Sequence, residues 1–417
     1  MEIIRFETPV VVVGGGPGGS TCSHFLNQAG IAHLVLDKAQ FPRDKICGDA
    51  LSGKVFSVLR KLGTGLDEEI HAQMPGYRGS HGVRFTSPSG LVLDVPFKLD
   101  MSTVDHPPGY LCSRMVFDAF LWDRLPDTSG TRWAGAELES IVRTEDGFLL
   151  RVLREGNSIE VACTYLVGAD GDRSVVRKTL HEKAFRRDHY CAGLRCYYEG
   201  VEGFHSDSFI ELHFLEELLP GYFWIFPMAD GRANVGLGML SSEVSKRKLN
   251  LRKLLEQAVS HPRFSDRFSR AKAIEQPKGW GLPLGTAQEK ISGDGYMLVG
   301  DAGSLIDPFT GEGIANAMIA GQHAAGTLEM AIKAGKRDAA TLSEFDKRVY
   351  RRLGNELSIS HRLQQLSRYP WLFNWVVKKA QGNRALRESL TGMFDDLTLR
   401  KRLKQPGFYL DLLFNRL

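Results

Sequence analysis

The chain has 417 residues, 43% hydrophobic and 24% charged, which is the balance of an ordinary globular protein with room for two or three cores. Net charge is +4, yet the 72 residues from Asp346 hold 15 Lys and Arg against 6 Asp and Glu, so this end carries +9 and the remainder −5. No apolar run approaches a membrane span, and six cysteines show neither a CxxC pair nor a metal-ligand spacing with histidine, which argues against transmembrane, disulfide-stapled and structural-zinc classes.

The first strong signal is Val10–Val13, four β-branched residues that read as a buried strand. Gly14, Gly16 and Gly19 follow at G-x-G-x-x-G spacing, with Gly18 beside them. Gly14 permits a tight turn, Gly16 clears the way for a pyrophosphate to reach backbone N–H groups, and Gly19 lets the next helix lie close on the strand. A second strand, Ala32–Leu36, ends at Asp37, 18 residues after Gly19, where a carboxylate can accept from an adenosine ribose hydroxyl. The unit reads as a βαβ dinucleotide fold.

Next comes a long polar loop, Phe41–Ala50, and then a helix over Ser52–Leu62. Short alternating strands run from Tyr77 to Pro96, with Ser87-Pro88-Ser89-Gly90 as a hairpin turn. Arg114 precedes a helix over Met115–Leu125. Strands at Ala136–Arg143, Phe148–Leu153 and Val161–Leu166 form a meander ending in Gly168-Ala169-Asp170-Gly171-Asp172-Arg173-Ser174. From Cys191 to Leu240 the strands Gly193–Tyr198, Phe209–Phe214, Gly221–Pro227 and Arg232–Leu240 read as a separate inserted antiparallel sheet. Leu251–Val259 is helical. Met297–Val299 is a buried parallel-type strand leading into Gly300-Asp301-Ala302-Gly303, and beyond Gly313 the chain is mostly helical.

One glycine turn does not distinguish NAD from FAD. Asp301, after its buried strand, can accept from a ribityl hydroxyl, while Gly311 and Gly313 open a helix whose N-terminus can face the pyrimidine edge of a flavin. On strand Gly221–Pro227, Tyr222, Trp224 and Phe226 share one face and Phe223 and Ile225 the other. An aromatic face of this kind suits an apolar, elongated substrate.

The segments Val10–Gly19 with Asp37, Gly168–Ser174 and Gly300-Asp301 resemble the flavoprotein monooxygenases of the para-hydroxybenzoate hydroxylase fold. Within that superfamily, Lys45-Ile46-Cys47-Gly48-Asp49 and Pro220–Pro227, followed by Asn234–Gly238, are similar to the geranylgeranyl reductase branch. The resemblance implies FAD contacts at Gly18, Asp37, Cys47, Gly48, Ala50, Arg114, Leu138, Asp301, Gly313 and Ile314, with Asp170 and Gly171 beside the pyrophosphate. It also implies an α/β fold, with a Rossmann-type FAD-binding domain (1–76, 100–190 and 281–345), an inserted antiparallel β-sheet substrate domain (77–99 and 191–280) and a helical C-terminal region (346–417). Cys47 is the candidate catalytic residue, its thiol over the flavin and its pKa lowered by Lys45.

The function so implied is FAD-dependent reduction of C=C bonds in a prenyl or otherwise apolar substrate. No second G-x-G-x-x-G is present, so electrons are expected from transiently bound NAD(P)H or from a carrier such as ferredoxin. The alternatives are a flavin monooxygenase acting on an aromatic or quinone, and a flavin electron-transfer protein. Flavin-dependent halogenases are a related group, but they need a lysine in a loop context that Lys45–Asp49 does not match. No metal and no nucleic-acid partner are expected. The N-terminus leaves no room for a signal peptide, so a cytoplasmic protein is expected. The stretch Tyr369–Lys379 is a candidate for peripheral contact with the inner face of a membrane.

Overall fold

A computed structural model of the chain describes residues 4–72, 74–98, 100, 105–181 and 186–383. The expected helical tail beyond residue 383 lies outside the described residues. At the centre is a six-stranded sheet in which Val10–Val13 lies between His33–Asp37 and Tyr165–Gly168. Gly130–Ala134 extends it on one side, and Tyr296–Leu298 followed by the short Ser292–Gly293 on the other. Every pairing is parallel except that of Ser292–Gly293. Val10 to Val13 are all buried, as a parallel strand covered on both faces requires.

Helix Pro17–Gln28 crosses helix Ile314–Ala334 through small residues. A Cβ on Gly321 would stand 2.2 Å from the Gly18 carbonyl oxygen, so these glycines set the approach of the two helices.

A second sheet is the meander Ala136–Arg143, Phe148–Arg154 and Asn157–Cys163, to which Ile4–Glu7 adds in parallel. Two details differ from the sequence reading. The chain forms a strand before Val10, and Val161–Leu166 is not continuous. At Thr164 it leaves the meander for the central sheet, with the N–H groups of Thr164 and Tyr165 both donating to the Pro9 carbonyl at 3.1 and 2.9 Å. Thr164 is the one polar residue in an otherwise apolar run, and threonine is common within strands, so the pattern does not mark the step.

The third sheet is the largest. Its order is Lys272–Ala273, Tyr190–Glu199, Ala233–Leu240, Tyr222–Pro227, Ile210–His213, Gly82–Thr86 and Val92–Pro96, with Lys278–Pro283 also pairing with Tyr190–Glu199. The hairpin at Ser87–Gly90 closes with the Gly90 N–H donating to the Ser87 carbonyl at 2.9 Å. The sheet is antiparallel except where Ile210–His213 meets Gly82–Thr86 in parallel. No hairpin joins those two segments, so local pattern does not set their relative direction. A small sheet of Ala50–Leu51, Gly109–Leu111 and Arg78–Ser80 completes the β structure.

Strand Tyr222–Pro227 separates two cores. Trp224 and Phe226 join Phe85, Phe214, Phe309 and, from helix Pro370–Gly382, Phe373 and Val377. Phe223 and Ile225 pack on the other side with Leu254, Leu255 and Ala258 of helix Leu251–Val259. The fold is thus mixed α/β with several sheets, and helices Ala339–Leu366 and Pro370–Gly382 follow at the C-terminal end of the described chain.

Candidate active site

A cavity of about 500 Å³ runs from the glycine turn after Val13 to the aromatic strand. Gly14, Gly16, Gly18, Asp37, Arg114, Leu138, Asp170 and Gly171 line one part, Asp301, Gly311, Gly313 and Ile314 another. Cys47, Gly48 and Ala50 form a loop facing Tyr222, Trp224 and Phe226 within the same cavity. Gly19 stands behind the turn, where a Cβ would be 1.8 Å from the Gly14 carbonyl oxygen.

Gly14 has φ +103°, and a Cβ there would be 2.3 Å from the Ala169 carbonyl oxygen. Gly16 differs: it sits at φ −72°, and a Cβ would meet only the guanidinium ends of Arg43 and Arg114, at 3.5 and 3.8 Å. Helix Pro17–Gln28 has no side-chain cap and no acidic residue in its first turn, so its unpaired N–H donors and positive end are left to the cavity.

The Asp37 carboxylate braces this turn. It accepts from the Gly15 N–H at 2.9 Å, the Ala39 N–H at 2.9 Å and Arg43 at 3.3 Å. Arg43 also donates to Asp118 at 2.8 Å, and buried Arg114 forks onto both Asp118 oxygens at 2.6 and 2.7 Å. Asp118 and Asp37 together therefore balance the two arginines that lie near Gly16. Arg43 and Asp118 are absent from the sequence reading; Arg114 and Asp118 at (i, i+4) on one helix were the available signal.

The Asp170 carboxylate braces the start of helix Val175–Leu180, accepting from Ser174 Oγ at 2.6 Å and the Val175 N–H at 2.7 Å. Lys45 directs its ammonium to Asp301 at 3.0 Å and over the Trp280 ring at 5.3 Å, which makes Asp301, rather than the Cys47 thiol, its partner.

Around the Cys47 loop the backbone fits closely. A Cβ on Gly48 would be 2.8 Å from the Phe226 ring, so the aromatic strand lies directly on this glycine. Asp49, buried, accepts from Tyr197 Oη at 2.5 Å and Asn234 Nδ2 at 2.8 Å, and burial pushes its carboxyl up to about 6. Tyr197 and Asn234 are also missing from the sequence reading, although Asn234 lies in a motif quoted for the resemblance.

The aromatic wall has its polar atoms satisfied. Tyr222 Oη donates to the Thr310 carbonyl and Trp224 Nε1 to Asn234 Oδ1, each at 2.8 Å. Gly236 underlies the Trp224 indole, where a Cβ would be 2.2 Å from the ring. Phe97, Ile210, Leu282, Ile306 and Ile359 continue the carbon surface. At its margin Lys54 pairs with Glu356, and Asp307 and Glu312 are carboxyls whose pKa burial raises.

The family described as FAD binding domain matches residues 7–352. The chain belongs to this family. It is an FAD-dependent oxidoreductase, and its similarities lie in the geranylgeranyl reductase branch. Menaquinone reductase of Mycobacterium tuberculosis is 31% identical over 374 residues, covering 87% of this chain and 84% of that protein. Digeranylgeranylglycerophospholipid reductase of Methanocella arvoryzae is 28% identical, covering 96% of each. A solved geranylgeranyl bacteriochlorophyll reductase-like protein from Thermoplasma acidophilum superposes with a TM-score of 0.79 at 21% identity, over 95% of this chain and 98% of that one. A flavin-dependent brominase superposes at 0.77, also with 21% identity, over 98% and 99%, so the oxidoreductase shares its fold with halogenases.

The residues present fit FAD. The uncapped helix behind Gly16 suits a pyrophosphate, and the extended cavity from there to Gly311–Ile314 suits a long cofactor.

Proposed function

We propose that this oxidoreductase reduces carbon–carbon double bonds of a prenyl chain or a similarly apolar lipid. The observation that carries the reading is one continuous cavity joining the glycine turn to a wall of aromatic side chains with no unpaired polar atom on Tyr222 or Trp224. A lipid chain loses nothing by lying on such a surface, whereas a polar substrate would give up hydrogen bonds to water. The relatives named for digeranylgeranylglycerophospholipid and for menaquinone act on isoprenoid-bearing molecules by name, in accord with this wall.

In this proposal Gly14, Gly16 and Gly18 receive the FAD pyrophosphate, Asp37 the adenosine ribose, and Asp301 the ribityl chain. Arg114, Leu138, Asp170 and Gly171 flank them, and Gly311, Gly313 and Ile314 face the flavin ring. FAD, when bound and reduced in this cavity, would supply the hydride that one alkene carbon needs. Cys47, with Gly48 and Ala50, closes the cavity opposite Tyr222, Trp224 and Phe226, and its Sγ holds the proton for the second carbon. The cofactor unit comprises 1–76, 100–190 and 281–345, and the substrate unit 77–99 and 191–280.

Electrons are assigned to NAD(P)H or to a ferredoxin-type carrier bound transiently. Among the described residues no helix is long and apolar enough to cross a membrane. Trp371 and Tyr369, 69% and 57% exposed at the start of helix Pro370–Gly382, with Lys378 exposed further along it, give a surface for peripheral contact with an anionic bilayer. The test is product mass: dithionite-reduced holoprotein incubated with a geranylgeranyl-bearing lipid should yield products heavier by two hydrogens per double bond. Unchanged lipid under these conditions would remove the reading.

A further inference from the structure

We propose that Tyr197, Asp49 and Asn234 form a clamp that positions the Cys47 loop against the aromatic wall, with the Asn234 amide as the joint between that loop and Trp224. The proposal rests on the reading of the cavity as a reductase site.

Across three neighbouring strands Phe226 pairs with Asn234, and Asn234 pairs with Tyr197. These residues therefore stand in one row across the sheet. Each member of the row touches the loop: Phe226 lies on Gly48, Asn234 Nδ2 donates to the Cys47 carbonyl at 2.8 Å and to Asp49 at 2.8 Å, and Tyr197 Oη donates to Asp49 at 2.5 Å. Slipping any of these strands by one residue would turn the contact to the opposite face.

Asp49 needs such support. Its φ is +66°, a conformation that a non-glycine residue holds only when its surroundings support it, and its side chain is buried. The Arg114 N–H donates to its other oxygen at 3.3 Å, and the Asp49 carbonyl accepts from the Cys112 N–H at 2.9 Å. The guanidinium groups of Arg195 and Arg232 lie against the Tyr197 ring, at 4.1 and 4.9 Å, and Arg195 reaches Asp44 at the loop's other end at 2.7 Å. The loop is thus tied at Asp44, Cys47 and Asp49 to a single sheet.

Asn234 has no exposed surface, and its amide spends both donor hydrogens on the loop while its oxygen accepts from Trp224 Nε1. One side chain therefore fixes both the indole that faces the substrate and the carbonyl of the residue that faces the flavin. Loss of this amide frees both, whereas loss of the Tyr197 hydroxyl loosens the loop alone.

The experiment measures alkylation of Cys47 by iodoacetamide in the oxidised, FAD-loaded full-length protein, read as modification of the Cys47 peptide by mass spectrometry. No substrate is needed. The variants are Tyr197→Phe, Asn234→Leu and the two combined. We expect the rate to change about tenfold in Asn234→Leu and about threefold in Tyr197→Phe, with FAD content retained, and the double variant to match Asn234→Leu because one clamp is broken once. Effects that multiply in the double variant, or a Tyr197→Phe rate equal to wild type, would overturn the clamp. Tyr197→Phe removes a single oxygen and decides the matter if Asn234→Leu does not fold. A protein that shows the expected alkylation pattern yet leaves prenyl lipid unreduced would sink the proposed reaction and leave the clamp standing.

Discussion

Replacing Gly16 by alanine separates what the polypeptide needs from what its cofactor needs. Gly16 has φ −72° and ψ −177°, which any residue adopts, and a Cβ would find nothing closer than an arginine nitrogen at 3.5 Å. The apoprotein should therefore lose no more than about 1 kcal/mol, since alanine is a poorer N-cap than glycine for helix Pro17–Gln28 while the unfolded chain has less freedom. The new methyl instead fills the space over the helix N-terminus through which the pyrophosphate is proposed to approach. Losing roughly two hydrogen bonds from backbone N–H to charged phosphate, at about 1.5 kcal/mol each, weakens FAD binding by about 3 kcal/mol, or about 100-fold. Gly14→Ala is the contrast, since at φ +103° and 2.3 Å from the Ala169 oxygen it strains the fold itself. Backbone strain and overpacking together should cost it about 2–4 kcal/mol. Flavin fluorescence quenching on titration of apoprotein gives the affinity, and urea unfolding of the same samples gives the stability. Gly16→Ala binding FAD within about threefold of wild type, or unfolding as early as Gly14→Ala, would refute this reasoning.

Asp118→Ala should destabilise the protein by about 3–5 kcal/mol in urea unfolding, because Arg43 and Arg114 lose the carboxylate between them; a loss below about 1 kcal/mol contradicts the pairing. Burial raises the Asp49 carboxyl from 3.8 to about 6, so the folded protein binds more protons than the unfolded chain between those values. Its contribution to stability is therefore fullest below about pH 4 and is lost as the pH rises to about 6. The difference in unfolding free energy between wild type and Asp49→Asn should fall across that window, and a flat difference would contradict the raised value. Trp224→Leu removes an indole from the cavity wall and its hydrogen bond to Asn234, and should raise KM for a prenyl lipid about tenfold with FAD affinity unchanged. Equal KM values would exclude the wall as the substrate surface.

The legible parts of this protein are those whose physics is local. Val10–Val13, the glycines and Asp37 lie within one βαβ unit, so chain order alone reveals their relation. Alternation assigns Tyr222, Trp224 and Phe226 to one face because the period of a strand is fixed. The bracing groups are hidden for the opposite reason. Arg43 meets Asp118 across 75 positions, Tyr197 meets Asp49 across 148, and Asn234 meets Asp49 across 185. Nothing around any of these residues announces a distant partner. Lys45 shows the same limit: proximity in sequence suggested Cys47, whereas the fold brings it to Asp301, 256 positions away. Asp170 sits in a glycine-rich segment that reads as cofactor loop, yet its carboxylate serves the short helix that follows.

The central claim is hydride delivery from this flavoprotein to an isoprenoid double bond, and anaerobic rapid mixing tests it most directly. Protein reduced with dithionite is mixed with a geranylgeranyl-bearing lipid, and separately with a menaquinone, while flavin reoxidation is followed by absorbance; the product is weighed after air has returned any quinol to quinone, so that only a reduced C=C bond adds mass. Reduction of double bonds predicts reoxidation without oxygen, in stoichiometric step with a gain of two hydrogens per double bond. A flavin that stays reduced with both lipids and reoxidises only when oxygen is admitted would contradict the account and favour a monooxygenase.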